Sequence, residues 1–175
     1  MSRIVLLHGA SSSGKTTLGK ALQARAPSPF LRLSFDTYRD GGALPPAARG
    51  DWPQIREAVF EGLHRSFAAF AESGCDLIVE HILDTPGWHE RLQELLSGQD
   101  LLFVGLFTPV EELSRREAAR GDRQRGSAIE DAARIHAGLR YDLELDGSAA
   151  PEENADQILA AMARPVQSRS AFFSS

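Results

Sequence analysis

The part of this chain best equipped for chemistry is a short glycine-rich stretch carrying a lysine and several hydroxyls. Gly9-Ala10-Ser11-Ser12-Ser13-Gly14-Lys15-Thr16-Thr17 fits the spacing G-x-x-x-x-G-K-[ST] at every fixed position. Gly9 and Gly14 permit backbone angles that a side chain would forbid. The loop can then turn its N–H groups inward around phosphate oxygens. Lys15 supplies a mobile charge for β and γ phosphates, and Thr16 a hydroxyl ligand for Mg²⁺.

Three further groups could complete phosphoryl transfer. Asp36 closes a short apolar run and is a candidate base for an acceptor hydroxyl. Glu80 and His81 end another such run, where open parallel sheets bind ligands, and Tyr38 and Trp52 lie in a Gly/Pro-rich segment over residues 37–53. All four are candidates for acceptor binding. Five arginines fall between Arg115 and Arg125 in an otherwise acidic chain. Arg116, Arg120 and Arg123 among them suit a lid, about residues 116–127, that covers transferring phosphates.

The elements that must position these residues alternate along the chain. Ile4–Leu7 reads as a strand buried on both faces. A helix follows from Lys15 to about Ala26, ended by Pro27 and Pro29. A second strand is predicted from Leu31 to Phe35, ending at Asp36. After the 40–53 loop, Ile55, Val59, Leu63, Phe67 and Phe70 mark a helix from about Pro53 to Glu72. Asp76–Glu80, Leu101–Phe107 and Tyr141–Leu145 read as strands three to five. Thr85-Pro86 is expected to open one helix, and capping boxes at Thr108–Glu111 and Ser127–Glu130 two more. Pro151 opens the last. The alternation predicts an α/β fold, a parallel sheet with helices on both faces, in one domain over residues 1–164 with a tail over 165–175.

Composition narrows the function. The 175 residues carry a net charge of −5, which argues against nonspecific binding to nucleic acid or an anionic membrane. No apolar run approaches the ~20 residues of a membrane helix. The lone Cys75 cannot form an internal disulfide, and MSRIVLL enters a strand directly, so the expected setting is the cytoplasm. The acidic surface does not forbid a homodimer. No Cys/His spacing for zinc and no G-x-S-x-G elbow is present.

The strand and loop through Gly14-Lys15 carry a resemblance, together with Phe35-Asp36, the run Arg116-Glu-Ala-Ala-Arg120-Gly-Asp-Arg123, and His136-Ala-Gly-Leu-Arg-Tyr141-Asp-Leu-Glu-Leu-Asp146. Over nearly its whole length the chain resembles the chloramphenicol phosphotransferase family of small P-loop kinases. The resemblance implies an adenylate-kinase-like, three-layer fold with a five-stranded parallel sheet, ATP and Mg²⁺, and phosphorylation of an alcohol on a small molecule. It implies Asp36 as catalytic base, Arg120 and Arg123 as lid residues, and Arg116 beside the adenine. The third strand ends in Glu80-His81 where the antibiotic kinase has a pair of aspartates. Beside a small-molecule kinase, a nucleoside, nucleotide or metabolite kinase and a non-catalytic nucleotide-binding module stay open.

Overall fold

The computed structural model describes residues 1–44, 48–120, 132, 134–169 and 171–174. Its elements in chain order are β1 (Arg3–His8), α1 (Lys15–Arg25), β2 (Leu31–Ser34), α2 (Phe35–Asp40), α3 (Ala48–Glu72), β3 (Leu77–His81), α4 (Trp88–Leu95), β4 (Asp100–Phe107), α5 (Val110–Arg120), β5 (Leu143–Asp146) and α6 (Pro151–Met162). Two short 3₁₀ turns follow, Val166–Ser168 and Ala171–Phe173. The strands form one parallel sheet in the order β2-β3-β1-β4-β5. No helix among the described residues is long and apolar enough to cross a membrane.

The pleat sorts the core into two layers, because successive side chains leave opposite faces of a strand. Ile4, Leu6, Leu77, Val79, Leu101 and Phe103 pack under α3 and α4. Val5, Leu7, Ile78, Leu102 and Val104 pack under α1 and α6. The same alternation places the polar residues at the strand ends. Glu80 follows Ile78 onto the α1 face, and its neighbour His81 follows Val79 onto the α3 face.

Local chemistry moved several boundaries. The second strand stops at Ser34, whose hydroxyl accepts the Thr37 N–H at 3.2 Å and so caps a helix that begins at Phe35. Asp36 therefore sits in a first helical turn and not at a strand end. α3 begins at Ala48, five residues before Pro53, and runs through that proline. Trp52, expected in a loop, is helical and packs its ring against Phe35 and Phe60. Thr85 does not cap α4: Gly87, at φ +87°, holds that position. The Thr85 hydroxyl is engaged instead with Arg56 and Asp84. The capping box at residues 127–130 and Arg123 lie outside the described residues.

The described residues beyond 164 include a docked segment. Phe172 is fully buried against Phe103 and His89. Arg169 forms a buried bidentate pair with Asp100 at 2.6 and 2.7 Å and donates to the carbonyls closing α6. A buried charge is tolerable when paired and hydrogen-bonded in this way.

Candidate active site

β1 delivers the chain into the loop over residues 9–14, and α1 leaves it at Lys15. Gly14 is the N-cap at φ +105° and offers no side-chain cap, so the first-turn amides of α1 face the loop without a protein partner of that kind. Gly9 is needed for space rather than for its backbone angle. A Cβ there would lie 2.7 Å from the Leu106 carbonyl and 2.8 Å from Ser13 Oγ. Ser12 holds φ +62°, an uncommon conformation for a residue with a side chain. The Ser12 and Ser13 hydroxyls are buried with no hydrogen bond among the described residues. Lys15 Nζ donates to the carbonyls of Gly9 and Ala10 at 2.7 and 2.8 Å, which curls its charge over the loop.

Two hollows flank this loop. The first, about 370 Å³, is lined by Ser11–Thr16 on one side and Asp36, Arg39, Trp52, Arg56, Phe60, Glu80, His81, Asp84 and Trp88 on the others. It thus brings Asp36, Trp52, Glu80 and His81 together with Lys15 and Thr16. Tyr38 is not among them. It turns to a separate apolar hollow with Val59 and Leu63, because two residues' steps along α2 swing it to the side away from Asp36. The second hollow, between the loop and the turn after β5, is lined by Ser12–Gly14, Thr17, Arg116, Gly147 and Asn154. Arg116 is pinned there: it donates to the Ser13 and Gly147 carbonyls at 3.0 and 2.9 Å and to Glu112 at 2.6 Å. Arg120 ends α5; Thr17 follows Thr16 in the first turn of α1.

Each group in the first hollow has an anchor. Asp36 pairs with Arg39 at 3.0 Å. Thr16 Oγ1 donates to Glu80 Oε2 at 2.7 Å, and Glu80 Oε1 accepts from Arg32 at 2.7 Å. His81 lines the hollow with both ring nitrogens engaged within the protein. Its Nδ1 lies 2.8 Å from the Ile82 carbonyl, which can only accept, so Nδ1 carries the proton. Nε2 then accepts from His64 Nε2, 2.8 Å away. Burial pushes the pKa of His81 down to about 3 and that of His64 down to about 4.

Sequence reasoning missed several walls of this cleft. Arg56 donates both to Asp84, at 2.8 and 3.0 Å, and to Thr85, and its guanidinium lies 5.0 Å above the Phe60 ring and 4.6 Å above that of Trp88. Asp84 stands three residues past β3, a strand-end position that was a usable signal. On the far side of β1, Tyr141 Oη lies 2.9 Å from His8 Nδ1 and 2.7 Å from His136 Nδ1. One phenolic proton means that it donates to one imidazole and accepts from the other. His136, without a visible partner in the sequence, thus belongs to a network under the loop.

A glycine-rich loop at the first strand–helix turn, a carboxylate across a cleft, and a 2-3-1-4-5 parallel sheet define a P-loop kinase fold. The chain belongs to the chloramphenicol phosphotransferase-like family, whose model matches residues 2–163. It is 28% identical over 174 residues to a protein of Mycobacterium tuberculosis H37Rv named "Putative O-phosphotransferase Rv2636", with 85% of this chain and 76% of that one covered. Among solved structures, the Deinococcus radiodurans tunicamycin resistance protein superposes with a TM-score of 0.70 at 21% identity, over 94% of this chain and 98% of that one. The Mycobacterium tuberculosis APS kinase CysC does so with a TM-score of 0.65 at 17% identity, over 93% and 98%.

Proposed function

We propose that the chain transfers the γ-phosphoryl group of ATP to a hydroxyl of a small organic molecule, the class to which chloramphenicol belongs. The observation that carries this reading is the single cleft onto which both the Ser11–Thr16 loop and Asp36 open. An acceptor hydroxyl lodged there attacks the γ-phosphorus, the bond to the β,γ-bridging oxygen breaks, the hydroxyl proton passes to the Asp36 carboxylate, and ADP leaves. The loop amides, the free Ser12 and Ser13 hydroxyls and Lys15 hold the phosphates. The second hollow, with Arg116 on its wall, takes the nucleoside. Trp52, Phe60 and Trp88 give the acceptor an aromatic wall.

Thr16 and Glu80 fit a hard divalent cation. They are oxygen donors in contact, and Mg²⁺ is commonly held by one or two protein oxygens plus substrate phosphates. When bound there, Mg²⁺ supplies neutralisation of phosphate charge. Arg120 and Arg123 are assigned to the cover over the transferring group.

The test is ADP release measured over a panel of antibiotics, nucleosides and sugars. Acceptor-dependent release by the wild-type protein, lost in Lys15→Ala, is expected. ADP release that no small alcohol stimulates would overturn the reading and favour a nucleotide-binding module.

A further inference from the structure

Arg32, on the edge strand of the sheet, is an unusual residue to find turned toward a buried carboxylate. Register pairs it with Ile78, and Ser34 with Glu80, so Arg32 and Glu80 leave the same face, toward α1. Its guanidinium reaches Glu80 Oε1 at 2.7 Å and makes no other hydrogen bond among the described residues. Its Nε is buried without a partner. The Glu80 side chain is 3% exposed. A carboxylate that deeply placed needs pairing, and a buried pair gains little over apolar packing.

α1 makes room for this pair at its own expense. A Cβ on Gly19 would lie 2.8 Å from Glu80 Oε1 and 3.1 Å from Arg32 Cδ. Glycine inside a helix is less stable than alanine. A buried carboxylate, an orphaned guanidinium nitrogen and a mid-helix glycine each weaken the fold. All three converge on the geometry of one group, whose other oxygen touches the Thr16 hydroxyl at 2.7 Å.

We propose that Arg32 is a positioning residue for a divalent cation: by gripping one oxygen of Glu80 it aims the other at Thr16, so that the two side chains present one oxygen-lined seat, with Gly19 leaving the clearance. The proposal rests on the reading that a Mg²⁺–nucleotide binds this loop. Arg32 touches neither nucleotide nor acceptor and acts through Glu80 alone.

The experiment is nucleotide binding by calorimetry, with ADP as the probe, in excess Mg²⁺ and again in EDTA. The ratio of the two dissociation constants measures what the cation adds. Arg32→Met is expected to cut that ratio by about tenfold, the lower end of what losing a partner of a metal ligand costs, while leaving the EDTA value within about twofold. Arg32→Lys recovers part of the loss. Gly19→Ala shows the same loss with both charged groups present. Arg32→Met combined with Glu80→Gln loses no more than Glu80→Gln alone.

A wild-type ratio in folded Arg32→Met overturns the proposal, as does additivity of the two changes. Should Arg32→Met fail to fold, a wild-type ratio in Gly19→Ala overturns it equally. A wild-type protein with no affinity for ADP in either buffer instead sinks the nucleotide reading itself, so the two failures are separable.

Discussion

The Nε2 atoms of His64 and His81 lie 2.8 Å apart at the wall of the hollow that Asp36 and the Ser11–Thr16 loop share, one donating and one accepting. Accepting at Nε2 requires a neutral His81, and burial favours the neutral form of both rings, holding His64 at about 4 and His81 at about 3. Burial also lowers His8 and His136. A histidine whose folded pKa is depressed takes up its proton more readily in the unfolded chain. Stability is therefore full above about pH 6.5, the unfolded value, and falls as pH drops toward 4. Urea denaturation at pH 7.5, 6, 5 and 4.5 should show a declining midpoint, and His64→Phe/His81→Phe should flatten the slope. An unchanged slope in that double variant would remove the pair from the account. Glu61 and Glu112, held near 2 chiefly by hydrogen bonds from arginines, weaken the fold only below about pH 4.5.

Lys15→Ala removes the charge that bends over the loop. Turnover should fall below detection and the dissociation constant for ATP should rise about tenfold or more, the worth of one charge-assisted hydrogen bond. Titration of a fluorescent ATP analogue reads the second effect without needing the acceptor.

Asp36→Asn keeps the size of the side chain and its place in α2, and removes the group assigned to take the proton. ATP binding should be unchanged and kcat should drop by about 10²-fold or more. Turnover within a few-fold of wild type would reassign the base.

Trp52→Ala strips one wall from the acceptor cleft and leaves the nucleotide hollow intact. The acceptor KM should rise about tenfold with the ATP KM unchanged, the pattern of lost uniform binding. Because the ring also packs against Phe35 and Phe60, some loss of thermal stability accompanies it.

Phe172→Ala opens a cavity beside Phe103 and His89. The expected destabilisation is about 3–5 kcal/mol, measured by chemical denaturation. A loss under about 1 kcal/mol would mean that the residues after 164 add little to the core.

Much of the architecture was legible because its signals were local. Ile4–Leu7 announced a doubly buried strand, and it is one. The phosphate-type loop stood in its strand–turn–helix context, and Glu80 was picked out by its place near a strand end, whereas Asp36, expected at one, stands in the first turn of α2. What escaped depended on contacts distant in sequence. His64 reads as one more residue beside an apolar helical stripe until β3 brings His81 against it. Arg32 carries no meaning until register shows which face of β2 it leaves. Trp52 looked like loop because Gly and Pro surround it, yet aromatic packing outweighs those breakers. Tyr38 is near Asp36 in sequence but lines a different hollow, because α2 winds between them.

The Ser13 carbonyl accepts from both the Thr108 hydroxyl and Arg116, and Arg116 in turn grips the Gly147 carbonyl. Three segments far apart in the chain thus meet at a single knot: the turn after β1, the approach to α5, and the turn after β5. α5 cannot pivot while those contacts hold. Any shift of α5 must untie that knot, and untying it would slacken the phosphate loop at the same moment.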